Sequence, residues 1–410
     1  MIFTTLLISS ILSLASAQQV GVSFLEKHPA LAWDSCTKSS GCQTQSQGGV
    51  VLDANWRWAH DAIGTKMRID GADYTSDFGI TTSGTTLLIK HTDRTLKSGA
   101  RVYLMANDSS YQTFKLKNRE LAFEVDTSKL SCGLNSALYF VQMDPDGGMA
   151  KYPTNKAGAK YGTGYCDAKF LETFTSLTAN EGTGRYGACC NEVDVWNANS
   201  FSTAYIANPC PVQELTRCSD SECASYCDQD GCDFNPYRLG NLTYYGNGMT
   251  IDTKQSITVV TQFITADNTT TGALREIRRL YIKNGKVVQN PKAPFPDYPA
   301  MILSPKSIVQ LKRPYSTTPI RLLPRGASEH LMMRWTRAGV SYKYRGEKRR
   351  PKPMARWQLS TRLFNIPAWR FSGCLSISMG KHTTPSELLP TASVKFSNLR
   401  FGDIGTTYSV

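Results

Sequence analysis

Apolar and polar residues alternate in short runs along most of this 410-residue chain. Leu121, Phe123 and Val125 alternate with Ala122, Glu124 and Asp126, and the same period of two runs through Arg101–Ala106, Ala137–Met143 and Ser256–Thr265. Successive side chains of a strand point to opposite faces, so these runs predict strands buried on one side. Arg279–Val288 carries Asn284-Gly285 at its centre, the pair that a two-residue hairpin turn prefers because both positions need positive φ. Val394-Lys395-Phe396 adds a late strand. Stripes of helical period are nearly absent before residue 290, so the pattern predicts an all-β sandwich or barrel. The length allows two or three domains or one large sandwich.

The first seventeen residues depart from this pattern. Leu6-Leu7-Ile8 and Ile11-Leu12 form an apolar core, and Ala15-Ser16-Ala17 follows as a small-residue cleavage site. This reads as a secretory signal, with a mature chain that begins at Gln18 and an extracellular destination. A membrane anchor fits less well, because Ser9, Ser10, Ser13 and Gln18 interrupt a stretch that must reach about 20 apolar residues to span a bilayer. Twelve cysteines then imply disulfides. Asn107, Asn241 and Asn268 head sequons for N-glycans.

The net charge of +13 suggests a nucleic acid or membrane partner until it is localised. Met301–His382 holds 17 Lys/Arg against 2 Asp/Glu, so the remainder is close to neutral. The charge belongs to one segment, and neither nucleic acid nor membrane is expected as a partner. From about Asp297 to His382 the chain shows basic clusters such as Lys348-Arg349-Arg350, scattered prolines, and Trp335, Trp357 and Trp369 without a sustained period. A basic, aromatic patch for an anionic polymer is one reading. The reading adopted is that residues 297–382 are an atypical segment not native to the fold and supply no strand.

Chemistry concentrates in Cys189-Cys190-Asn191-Glu192-Val193-Asp194-Val195-Trp196-Asn197-Ala198-Asn199-Ser200. Glu192 and Asp194 lie two apart and share one face of a strand, where Asp194 can hold Glu192 by a hydrogen bond. Residue 197 is an odd step away and reaches that face only if the strand bulges after Asp194. Dinucleotide, phosphate-loop, Ser-His-Asp and zinc-spacing motifs are absent, so no cofactor or metal is expected.

This run resembles the active-site strand of glycoside hydrolase family 7, the secreted fungal cellobiohydrolases and endoglucanases, whose pattern is Cys-Cys-x-Glu-x-Asp-x-Trp-Glu-Ala-Asn-Ser. Further matches include Val51–Trp58, Asp70–Ser76, Cys132–Asn135, Ala137–Val141, Lys151–Asn155, Ala157–Asp167, Gly231–Gly240 and Phe396–Gly405. The resemblance covers roughly Leu31–Gln289 and Pro385–Thr407. It implies one catalytic domain over residues 18–410, a concanavalin-like β-jelly roll of two antiparallel sheets with a long glucan groove on the concave one, and no linker or binding module. A monomer acting on β-1,4-glucan chains such as cellulose is expected.

By the same resemblance Glu192 is the nucleophile of a retaining glycosidase, Asp194 its support, and Asn197 stands where the family has its acid/base glutamate. An amide cannot transfer the proton that the leaving oxygen needs, so activity is expected to be impaired. Trp56 and Trp58, two apart on one strand face, are expected to stack on sugar rings, and Tyr139, Tyr165 and Asp167 to bind hydroxyls near the nucleophile. Lys169 replaces a common glutamine, and Asn208 a histidine. The cysteine-rich excursion that many members carry between the equivalents of Trp58 and Asp70 is missing, which should open the groove.

The implied disulfides are Cys36–Cys42, Cys166–Cys190, Cys210–Cys227 and Cys218–Cys223. Cys189 and Cys232 lose their usual partners, and Cys132 is left with Cys374. Late family strands have no counterpart before Pro385. Two alternatives follow: a glucan-binding protein that does not cut, and a degenerate or mis-assembled gene product on the same scaffold.

Overall fold

The computed structural model describes residues 19–21, 24–59, 68–91, 100–131, 134–168, 186–219, 227–229, 231–291, 334–336, 339–341, 372–381 and 392–409. Two nine-stranded sheets dominate it. The sheet that bears the Glu192 strand runs Ser110–Tyr111, Ala100–Asn107, Ser372–Lys381, Leu134–Val141, Glu192–Ala198, Thr203–Asn208, Cys232–Phe234, all antiparallel along this path. The opposing sheet runs Lys286–Gln289, Leu274–Lys283, Ile257–Thr265, Arg119–Asp126, Ser393–Asp403, Trp33–Thr37, Gly41–Gln45. Among the described residues the only helical pieces are short 3-10 turns at Ala54–Trp56 and Ala159–Tyr161.

The alternation read from the sequence sets the burial. Leu121, Phe123 and Val125 face one core together with Val102, Leu104, Leu138, Phe140, Val259, Phe263, Val394 and Phe396. Burial of each such large apolar side chain contributes about 1.5–3 kcal/mol, so this interior layer is the main cohesive element of the sandwich. The hairpin after Leu274–Lys283 forms as expected: Lys283 pairs with Lys286 across Asn284 (φ 50°) and Gly285 (φ 69°). These are the left-handed angles that a type I′ turn demands.

The expectation that residues 297–382 supply no strand is corrected. Ser372–Lys381 is a strand inserted between Leu134–Val141 and Ala100–Asn107. Its run Leu375-Ser376-Ile377-Ser378-Met379 has the period of two that the segment as a whole lacks. In register Leu375 lies opposite Phe140 and Ile377 opposite Leu138, two residues of the core. A strand in mid-sheet must carry hydrogen bonds on both edges, and backbone groups can do this whatever the charge of the flanking chain. Arg334–Thr336 and Gly339–Ser341 pair with each other. The rest of the basic segment lies outside the described residues, as do the proposed signal, Cys132, Lys169 and Cys223.

Cys36–Cys42, Cys166–Cys190 and Cys210–Cys227 are bonded as expected. Cys218 is also disulfide-bonded, and the Sγ of buried Cys189 lies 2.8 Å from the Cys218 Sγ. Cys374 stands opposite Val141 in register.

Candidate active site

The Glu192–Ala198 strand carries a bulge. Against Thr203–Asn208 the register steps from Asp194↔Ile206 to Asn197↔Ala204, three residues against two. Against Leu134–Val141 it steps from Asp194↔Tyr139 to Trp196↔Leu138, so Val195 has no register partner on either side. An extra residue in one strand resets the alternation beyond it. Val193, Val195, Trp196 and Ala198 all face the interior core. Glu192, Asp194 and Asn197 are thereby brought to the other face of the strand. The bend or bulge that the resemblance implied after Asp194 is present as this register shift.

That outer face is lined by Tyr103, Met105, Ala137, Tyr139 and Val141 from the neighbouring strands. Glu192 is 4% exposed and Asp194 2%, while Asn197 is half-buried. The Cys166–Cys190 disulfide ties the loop of residues 165–168 to the start of the strand. Through it the backbone N–H of Ala168 donates to Glu192 Oε2 at 3.2 Å. Asn197 Oδ1 accepts from Asn135 Nδ2 at 3.1 Å. Asn208, opposite Glu192 in register, is buried and donates from Nδ2 to the carbonyls of Asp228 (2.9 Å) and Gln229 (3.1 Å).

The motif also contains parts that only shape the strand. Asn199 Oδ1 accepts the N–H groups of Phe201 and Ser202, its Nδ2 donates to the Leu134 carbonyl, and Ser200 Oγ donates to the Leu130 carbonyl. Ala-Asn-Ser therefore closes the turn that leads into the next strand.

Around Tyr139, Tyr165 and Asp167, Tyr165 Oη donates to Asp167 Oδ2 at 2.8 Å, and Tyr139 lies opposite Asp194 in register. Burial, reinforced for Tyr165 by the charge of Asp167, pushes both phenols above the ordinary tyrosine value. They remain neutral hydroxyl groups throughout the physiological range. Arg101, Asp53 and Tyr103 were not singled out in the sequence, and they hold this cluster together. The Arg101 guanidinium lies 3.3 Å from the Tyr165 ring centroid and 5.2 Å from that of Trp56. It donates to Asp53 Oδ2 from Nε at 2.9 Å and from Nη2 at 2.7 Å, and Tyr103 Oη donates to the same oxygen. Burial works against the charge of Arg101, but Asp53 and the tyrosines outweigh it and hold it well above the usual guanidinium value. Arg101 and Tyr103, two apart in the alternating run Arg101–Ala106, share one strand face.

Trp56 and Trp58 do not share a strand face. Trp56 closes the 3-10 turn Ala54–Trp56 and packs partly against the interior core, and the next strand begins only at Trp58. The turn forms because Trp56 and Arg57 N–H groups bond back three residues, to Asp53 and Ala54. Among the described residues no cluster of His, Cys, Asp or Glu is suited to hold a metal ion.

A sandwich with two buried carboxylates on one bulged strand is an arrangement that glycoside hydrolysis can use. The chain belongs to glycosyl hydrolase family 7, whose sequence profile matches residues 20–67 and 64–310. Solved structures agree. A family 7 cellobiohydrolase from Daphnia pulex is 31% identical with a TM-score of 0.73, covering 95% of this chain and all of the other. The cellobiohydrolase of Melanocarpus albomyces complexed with cellotetraose is 30% identical with a TM-score of 0.71, covering 96% and 100%. The native endocellulase of Humicola insolens is 27% identical with a TM-score of 0.70, covering 95% and 100%.

Proposed function

We propose that the protein is a secreted β-1,4-glucan hydrolase of the retaining type, that cellulose chains are its substrate, and that Asn197 slows it. Glu192 attacks the anomeric carbon, Asp194 orients it, and the polar set Tyr139, Tyr165 and Asp167 binds sugar hydroxyls. The observation that carries this reading is the bulge at Val195, which brings residues 192, 194 and 197 to one face. A retaining mechanism needs a second group there to protonate the leaving oxygen and then to activate water. The carboxamide of Asn197 can hydrogen-bond to that oxygen but has no proton to give.

Asn197 favours one further reading, a protein that holds a glucan chain without cutting it. A 2-fluoro-cellobioside with an acidic aryl leaving group separates the two, because it needs no protonation to depart and its fluorine slows release. Mass spectrometry should find one added disaccharide on the peptide that carries Glu192. Binding of cello-oligosaccharide with no such adduct would instead support the non-catalytic reading.

A further inference from the structure

The proposed chemistry lies on the outer face of the Glu192–Ala198 strand, and a buried charge lies behind that strand. Arg279, 2% exposed, lies on the Leu274–Lys283 strand of the opposing sheet, in register with Thr261. Its Nε donates to Thr261 Oγ1 at 3.2 Å, and its Nη2 reaches across the sandwich and donates to the carbonyl of Val195. The rings of Tyr205 and Tyr281 lie 4.9 and 5.9 Å from the guanidinium carbon and cover the charge.

Val195 is the residue that the bulge leaves without a register partner on either neighbouring strand. A buried carbonyl costs about 1–3 kcal/mol when no donor meets it, and the Arg279 guanidinium is a donor to that of Val195. A straightened strand would recover the ladder and turn residue 197 toward the core. Arg279 meets the Val195 carbonyl where the bulge places it, so it favours the bulged register over the straight one.

We propose that Arg279 is a positioning residue: from the opposite sheet it holds the bulge at Val195 and thereby sets residue 197 beside Glu192. The catalytic consequence rests on the glycosidase reading, while the mechanical one does not. Two measurements separate them. In hydrogen–deuterium exchange of the full chain, Arg279→Met should speed exchange in the peptide spanning 192–198 at least tenfold while leaving Arg119–Asp126, elsewhere in the opposing sheet, unchanged. Arg279→Lys, which keeps a donor and the charge, should be intermediate and stands in if the Met variant fails to fold. Exchange that is unchanged at 192–198, or raised equally throughout the sheets, would overturn the proposal.

In the second measurement, Asn197→Glu is made with and without Arg279→Met, and turnover is corrected for the folded fraction. The gain from Asn197→Glu should fall at least tenfold in the Met background, and an equal gain in both backgrounds would overturn the positioning role. No gain in either, with the local exchange effect intact, would refute the acid/base assignment of position 197 and leave the role of Arg279 in holding the bulge supported.

Discussion

Asn135 Nδ2 donates to Asn197 Oδ1 at 3.1 Å, a bond between adjacent strands that holds the side chain standing at the proposed proton-donor position. A glutamate at 197 still offers this donor an acceptor, because a carboxyl oxygen accepts as the amide oxygen does.

Asn197→Glu should therefore raise release of soluble sugar from cellulose, by about 10² to 10⁴, the usual value of general acid/base assistance. Reducing-sugar assays on the purified pair of proteins measure it. An unchanged rate would move the proton-donor role elsewhere, with Asp167 the next candidate.

With an aryl cellobioside whose phenol is acidic, the native chain should give a burst of phenol followed by slow turnover. Glu192 can attack unaided, but water must then act without a base. Azide, which needs no deprotonation, should accelerate the slow phase, and Glu192→Gln should abolish the burst. Stopped-flow absorbance reads both phases.

Asp53→Ala should destabilise the fold by about 3–5 kcal/mol, because it leaves the Arg101 charge buried without its carboxylate. Urea unfolding gives the figure. A smaller loss, near that of an exposed pair, would mean that the stacked tyrosine and Trp56 carry the charge without Asp53.

Stability should fall as pH rises above about 10, the ordinary tyrosine value. Tyr103, Tyr139 and Tyr165 have raised values in the folded protein, so above that pH the unfolded chain loses protons that the folded chain retains. Their contribution is complete below pH 10 and declines through the alkaline range at about 1.4 kcal/mol per unit for each tyrosine that ionises only on unfolding. Tyr165→Phe should flatten the decline seen in urea midpoints between pH 9 and about 11.5.

Material from a secreting host should begin at Gln18, since Ala15-Ser16-Ala17 directly follows the apolar core. N-terminal sequencing decides it, and retention of Met1 would sink the secretory assignment.

The sequence by itself determined an all-β fold, sandwich or barrel, because period-two burial such as Leu121-Ala-Phe123-Glu-Val125 is a local property that any sheet partner would read in the same way. It determined the chemistry on offer through the types and order of residues 189–200, while the bulge was implied by the family resemblance and not shown by the spacing. The tertiary structure decided what depended on distant partners. Trp56 left the strand for a 3-10 turn. Ser372–Lys381, hidden among lysines and arginines, entered the middle of a sheet by pairing with Leu134–Val141 on one edge and Ala100–Asn107 on the other. Arg101 met Asp53 and Tyr165, and Arg279 met Val195, across separations of 48, 64 and 84 positions. No local pattern encodes such meetings: a buried arginine looks in sequence like one meant for solvent, and only the packing of two sheets shows which carbonyl or carboxylate its charge must satisfy.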